Sequence, residues 1–167
     1  MSLEFSTHGD THRLLARQWF PEPPARLFPF FADAGNLAEI TPPWLGFRIL
    51  TPLPVEMRVG ALIDYRVSLF GVPMPWTSEI TLWEPGERFV DLQRRGPYRY
   101  WHHEHRFEPQ RGGTLMTDTV DYRLLFSAVL HPLFVRRNLR SIFDYRQRVL
   151  GERFAGREPD ETNAGAA

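Results

Sequence analysis

The sequence predicts a single α+β domain in which a curved antiparallel β-sheet wraps around a long C-terminal α-helix. Short strand-like segments separated by turn residues fill the middle of the chain, two short helical segments follow the first strand, and a long amphipathic segment comes last. A helix that follows a run of strands usually covers one face of their sheet. The chain has 167 residues, which is enough for one domain with a sizeable core.

We expect this domain to span residues 11–155. Residues 1–10 are mainly polar and are predicted to form a loose N-terminal segment. Residues 156–167 lack apolar periodicity and are predicted to form a disordered tail. His12 and Arg17, at the start of the domain, are expected on its surface.

Six or seven strands are predicted, joined as an antiparallel meander. The candidate strands are residues 12–20, 46–50, 61–70, 74–84, 87–93, 98–108 and 114–125. The breaks between the later strands carry turn residues such as Gly and Pro. Because breaks this short join neighbouring strands as hairpins, we expect antiparallel pairing.

Helical spacing of apolar residues indicates the helices. Residues 24–32 are predicted to form a short helix with Pro24 in its first turn, and residues 36–40 a second helical turn. The long final helix is predicted over residues 131–155, or roughly 35 Å at 1.5 Å per residue. Its apolar stripe consists of Val135, Leu139, Ile142, Phe143, Val149, Leu150 and Phe154.

Composition excludes several classes of function. The formal net charge is zero, which argues against nucleic acid as a partner. The chain has no Cys, so disulfides, zinc–thiolate sites and thiol nucleophiles are excluded. No apolar run approaches the ~20 residues that span a bilayer, and the N-terminus does not resemble a secretory signal. We therefore expect a cytoplasmic protein without integral membrane association, and the sequence gives no oligomeric state.

The strongest candidate site is the strand-like segment at residues 101–107, because alternate residues of a strand share one face. Trp101 and Phe107 favour the interior. His103 and His105 have the same parity, so they are expected to point inward as well.

Asp118 is expected to join these histidines from the next strand, since Val120 and Tyr122 favour burial on the same face. Three functional interpretations of the set remain open. The polar groups could orient a ligand, one histidine could act as a general acid or base with Asp118 fixing its tautomer, or the set could hold a metal. The structural alternative is a hydrogen-bonded core network. We predict no metal and no other cofactor, because no third histidine shares this face.

Arg146 is the other polar residue that the pattern places inside, within the apolar stripe of the final helix. It could anchor a ligand carboxylate, or it could form an internal ion pair or reach the helix edge. The remaining candidates for a ligand-binding wall are mainly aromatic, and most aromatic residues simply pack in a core. They are Tyr65, Trp76, Phe89, Asp91, Tyr98, Trp101 and Tyr122.

Several different aromatic and turn motifs are distributed over about residues 10–155. They are residues 30–37, residues 41–47, Gly71-Val72-Pro73 followed by Trp76, Gly96-Pro97-Tyr98 followed by Trp101, the pair His103 and His105, Phe107, and Gly113-Thr114 followed by Asp118. Together they resemble the START/Bet v 1-like (SRPBCC) superfamily, and within it the bacterial ligand-binding branch that includes polyketide cyclase/dehydrase-like sequences. The resemblance implies a helix-grip fold with a deep cavity. It implies no particular reaction, because this fold hosts carriers, sensors, cyclases and chaperone regulators.

We therefore expect the domain to bind a small hydrophobic or aromatic molecule, lipid-like or polyketide-like, between the sheet and the final helix. The cavity is expected to reach at least ~300 Å³, as ligand sites usually do. One alternative is a cyclase or dehydratase in which His103, His105 and Asp118 transfer protons. A second alternative is a protein-interaction module of the chaperone-activator kind, for which the interior histidines have no evident use.

Overall fold

The computed structural model describes residues 2–69, 71–124 and 134–155. Within these ranges the chain forms eight strands, which are β1 (Ser2–His8), β2 (Thr11–Phe20), β3 (Arg48–Ile49), β4 (Leu62–Leu69), β5 (Val72–Glu84), β6 (Arg88–Arg95), β7 (Tyr100–Gln110) and β8 (Gly113–Arg123). They lie in one curved, unclosed sheet in the order β1-β2-β8-β7-β6-β5-β4-β3.

All neighbouring strands in this order pair antiparallel, which confirms the predicted meander. Gly86 (φ 84°) and Gly112 (φ 76°) occupy the turns that join β5 to β6 and β7 to β8. Such left-handed positions favour glycine because it lacks a Cβ. The pairing of β2 with β8 brings the start of the domain beside its last strand.

The helices follow the predicted order with shorter bounds. Helix α1 spans Pro24–Phe31 and is followed by 3-10 turns at Ala34–Ala38 and Pro43–Leu45. The first of these turns stands where a helical turn is predicted at residues 36–40. Helix α2 spans Arg136–Arg153. Residues 131–133, where the sequence predicts the start of this helix, and the predicted tail at residues 156–167 lie outside the described residues.

Strand β1 is the main departure from the sequence prediction. A loose segment is predicted at residues 1–10, whereas Ser2–His8 pairs with β2 along its whole length. Leu3 and Phe5 alternate along this strand and pack at the border of a hydrophobic cluster. The sequence does not predict this strand because an edge strand has few apolar residues and many polar ones.

His12 also departs from its expected place on the surface. Its side chain is buried beside the ring of Tyr122, at 5.5 Å between ring centroids. Two causes act together. His12 shares its face of β2 with the fully buried Leu14, and Thr7 of β1 lies 2.9 Å from its Nδ1 atom.

Helix α2 covers the concave face of the sheet and divides the core into two hydrophobic clusters. Leu150 packs in the cluster that includes α1. Leu139 and Phe143 pack in the cluster that includes β2, β7 and β8. The helix-grip arrangement predicted from the sequence is therefore confirmed. Within the described ranges, no helix has both the length and the apolar character needed to cross a membrane.

Candidate functional site

A cavity of about 190 Å³ lies between the sheet, α1 with its following turns, and α2. Its apolar walls include Phe31, Ile63, Val67, Ile80, Leu139 and Phe143. The volume is smaller than the ~300 Å³ expected from typical ligand sites. Aromatic rings pack closely in the cavity wall, where the ring centroid of Trp101 lies 5.3 Å from that of Trp76 and 4.7 Å from that of Tyr98.

The structure places most of the predicted wall residues at this cavity. They are Tyr65, Trp76, Phe89, Asp91, Tyr98 and Trp101. Tyr122 is an exception, since it is fully buried outside the cavity lining. It packs behind Tyr98 and Trp101, whose ring centroids lie 5.9 Å and 6.0 Å from its own. The predicted inward orientation of Tyr122 is confirmed, but the rings of Tyr98 and Trp101 lie between it and the ligand space.

The alternation predicted for β7 and β8 is present. His103 and His105 are buried together with Trp101 and Phe107, while the residues between them are half-buried. Asp118 is buried on β8 directly opposite His105. The two histidines line the cavity, and Asp118 lies behind them.

Two carboxylates hold the histidines from opposite sides. Oδ1 of Asp118 lies 3.0 Å from Nε2 of His103 and 2.7 Å from Nδ1 of His105. Oδ2 of Asp91 lies 3.5 Å from Nδ1 of His103 and 3.2 Å from Nε2 of His105. Each imidazole therefore bridges Asp91 and Asp118. We call these four residues, together with Arg146, the His–Asp cluster.

Arg146 enters the cluster from α2. Its Nη2 atom lies 3.5 Å from Oδ1 of Asp118 and 3.3 Å from Nδ1 of His105. The internal ion pair considered from the sequence is therefore present. Arg146 also lines the cavity, and its buried Nε has no hydrogen-bond partner among the described residues.

Ser78 extends the polar network along the sheet and was not singled out from the sequence. Its hydroxyl donates to Oδ1 of Asp91 at 3.3 Å. The hydroxyl oxygen of Ser78 also lies 3.2 Å from the hydroxyl of Tyr65 and accepts from Nε1 of Trp76 at 3.2 Å. Ser78 shares the buried face of β5 with Trp76 and Ile80. The alternation rule that predicts an inward His103 would therefore also have predicted an inward Ser78.

Both carboxylates have lowered pKa values although burial opposes the ionisation of each. Burial alone would raise the pKa of Asp118, but the Arg146 charge and the hydrogen bonds from both histidines hold it well below its usual value. Burial likewise opposes ionisation of Asp91, but its contacts with His105 and His103 leave its pKa lowered. Both groups are therefore anionic acceptors at neutral pH.

The two histidines differ in their affinity for a proton. Burial and the neighbouring charge of His105 lower the pKa of His103 to about 4, outweighing its two carboxylate partners. For His105, burial lowers the pKa, but the hydrogen bond and charge of Asp118 and the hydrogen bond with Asp91 outweigh it, so the pKa is raised. His103 is therefore the neutral ring. Its shorter contact is that of Nε2 with Asp118, so Nε2 carries its proton and Nδ1 presents a lone pair.

The family of the chain follows from the comparison with known proteins. Residues 20–146 match the family described as polyketide cyclase / dehydrase and lipid transport. This match covers most of the chain, and the protein belongs to that family. It also agrees with the resemblance seen in the sequence motifs. Among curated proteins, none matches this chain.

Solved structures share the fold at low sequence identity. A protein from Thermus thermophilus is 20% identical with a TM-score of 0.64, over 86% of this chain and 97% of that one. A protein from Rhodobacter sphaeroides is 21% identical with a TM-score of 0.63, over 92% and 98%. Major latex-like protein 151 from Panax ginseng is 14% identical with a TM-score of 0.63, over 89% and 100%. These likenesses establish the fold alone.

Proposed function

We propose that this protein binds a small aromatic molecule with one polar end in the cavity between the sheet and α2. The observation that carries this proposal is a largely apolar cavity whose wall holds four of the five residues of the His–Asp cluster. Ligand sites commonly combine apolar walls with a few converging polar groups. The family's description includes lipid transport, which agrees with a carrier role. We propose that this carrier acts in the cytoplasm, as expected from the sequence.

The cavity volume limits the size of the ligand. An apolar cavity of about 150 Å³ holds benzene, so about 190 Å³ suits a molecule of one or two rings. The stacked and tilted rings of Tyr65, Trp76 and Phe47 offer flat surfaces to such a ligand. A long acyl chain would need more space than this cavity offers.

The polar end of the ligand is expected to meet the His–Asp cluster. Asp91 supplies an acceptor at the cavity wall, and Nε of Arg146 supplies a buried donor without a partner among the described residues. A hydroxyl group can satisfy both kinds of partner, because it donates one hydrogen bond and accepts others. An entirely apolar ligand would leave the Arg146 donor unsatisfied.

Naphthalene and 2-naphthol provide a matched test, since they differ by one hydroxyl group. Calorimetric titration of the wild-type protein should show binding of both compounds and a several-fold preference for 2-naphthol, corresponding to about 0.5–1.5 kcal/mol for one hydrogen bond. Binding should show a negative heat-capacity change, the mark of apolar burial. Failure of both compounds to bind would contradict the proposal, and equal affinity would contradict the role of the polar end.

The cyclase or dehydratase alternative is kept as the second candidate, because both predicted proton-transfer histidines line the cavity. It differs from a carrier in the fate of the ligand. Native mass spectrometry of protein purified from its source cells would reveal a co-purifying compound. Recovery of that compound unchanged after incubation supports the carrier. Its conversion to a cyclised or dehydrated product would support the enzyme instead.

A further inference from the structure

We infer that Asp91, His103 and His105 form a binding site for a divalent transition-metal ion such as Zn²⁺ in the cavity wall. The sequence predicts no metal, because no third histidine shares the face of this pair. The structure supplies the third donor from the neighbouring strand, since Asp91 on β6 pairs directly with His103 on β7. The site does not depend on the proposed carrier function, because every donor is a group of the protein.

The spacing of the donors suits one ion. One donor atom from each of the three residues lies within 4.8 Å of the others. Oδ2 of Asp91 lies 3.5 Å from Nδ1 of His103 and 3.2 Å from Nε2 of His105. Tetrahedral zinc with bonds of about 2.0–2.1 Å separates neighbouring donors by about 3.3 Å. The carboxylate is therefore already at the required distance from both ring nitrogens.

Asp118 supports the same interpretation from the other side of the rings. A histidine that binds a metal usually donates its second ring nitrogen to a carboxylate or carbonyl group, which fixes the tautomer and the ring orientation. Here Oδ1 of Asp118 lies 3.0 Å from Nε2 of His103 and 2.7 Å from Nδ1 of His105. Both rings thus turn one nitrogen to Asp118 and the other to Asp91. Arg146 in turn pairs with Asp118, 3.5 Å from Nη2 to Oδ1.

The arrangement leaves a coordination position for a ligand. Asp91, His103 and His105 all line the cavity, whereas Asp118 does not. Two imidazoles and one carboxylate leave a fourth position on a tetrahedral ion, as in zinc sites that bind water or substrate. An ion at this place would act as a Lewis acid toward a carbonyl or hydroxyl oxygen in the cavity.

The donor types indicate the class of metal. Imidazole suits zinc, iron, nickel and copper, whereas magnesium and calcium prefer sites made only of oxygen. Zn²⁺ is therefore the probe of choice, and Mg²⁺ is the matched negative probe. We expect stoichiometric Zn²⁺ binding and no Mg²⁺ binding at the same concentration.

Equilibrium dialysis of the full chain with Zn²⁺ tests the site. Wild type should bind one ion per chain, and His105→Ala should lose at least 100-fold in affinity. Asp118→Asn, which keeps all three ligands, should lose about 10–100-fold. The control is His102→Ala on the opposite face of the same strand, which should bind as wild type does. Absence of Zn²⁺ binding by wild type, or equal binding by wild type and His105→Ala, would overturn the inference.

A second measurement avoids reliance on variants that fail to fold. Crystals of wild type grown with zinc chloride should show an anomalous peak about 2.0–2.1 Å from Nδ1 of His103 and Nε2 of His105. A zinc ion bound only at other residues would overturn the site. Neither measurement uses naphthol, so failure of the proposed carrier function and failure of the metal site are separate results.

Discussion

At the scale of single residues, Arg146 shows how a charge becomes tolerable inside this fold. Arg146 is only 9% exposed. It lies near the carboxylate of Asp118 and over the rings of Phe31 and Phe143, at 5.6 Å and 5.9 Å from their centroids. Pairing with a carboxylate and contact with aromatic faces both compensate for the loss of water.

The first prediction concerns this pair. Arg146→Leu should lower the free energy of unfolding by about 3–5 kcal/mol, because it leaves Asp118 buried without its cationic partner. Urea denaturation followed by circular dichroism measures the loss. The double variant Arg146→Leu, Asp118→Asn should recover part of it, since the isolated charge is gone. A loss below about 1 kcal/mol for the single variant would contradict the importance of the pair.

The second prediction concerns His12 and pH. Burial lowers the pKa of this residue in the folded protein, and the charge of Asp10 offsets the effect only in part. The unfolded chain therefore takes up the proton first as the pH falls. The stability that neutral His12 contributes is complete above about pH 6.5 and is lost as the pH falls toward the folded pKa.

Unfolding free energies measured between pH 5 and 8 test this sign. Wild type should lose stability more steeply than His12→Gln as the pH falls through this window. Glutamine keeps a polar group near Thr7 but carries no titrating proton in this range. Parallel curves for the two proteins would show that His12 does not change its proton affinity on folding.

At the scale of elements, the sequence predicts those whose pattern is dictated by burial. Residues 100–107 of β7 and 114–123 of β8 alternate between buried and half-buried positions, and α2 carries one apolar stripe. In these elements the positions of His103, His105 and Asp118 follow from parity alone. Strand β1 has no such pattern because it lies at the sheet edge. Its pairing is set by the backbone of β2, which its own composition does not reveal.

The third prediction tests whether β1 is part of the folded core. Phe5 is half-buried and lies under the guanidinium groups of Arg136 and Arg140, 5.2 Å and 5.4 Å from its ring centroid. Phe5→Ala should cost about 1–2 kcal/mol of stability from lost apolar burial and cation–π contact. Ser6→Ala, on the exposed face of the same strand, should change stability by less than about 0.5 kcal/mol. Equal effects of the two variants would indicate a detached segment.

The site itself was only partly accessible from the sequence. Parity brings the histidines and Asp118 to the interior, and it draws Asp91 inward on β6. It does not show that Asp91 bridges both rings or that Tyr122 lies behind Trp101, because these relations depend on strand register and side-chain volume. Parity likewise places Ser78 inside, but its contact with Asp91 depends on how β5 and β6 are aligned.

At the scale of the whole molecule, the fold creates a cavity because a curved sheet and a helix cannot meet everywhere. The hydrophobic clusters on either side of the cavity hold α2 against the sheet. A carrier role therefore requires that a ligand enters that space. Val67 on β4 is buried in the cavity wall, whereas Val72 on β5 is 55% exposed. These two valines form a matched pair for the same substitution.

Titration of 2-naphthol into Val67→Phe, Val72→Phe and the wild type shows whether the ligand binds in this cavity. A phenyl ring at position 67 takes up space that the ligand needs, so Val67→Phe should weaken binding at least tenfold, or about 1.4 kcal/mol. Val72→Phe should bind as wild type does. Circular dichroism checks that both variants are folded. Unchanged affinity in a folded Val67→Phe variant would show that 2-naphthol binds elsewhere and would contradict the cavity as the ligand-binding site.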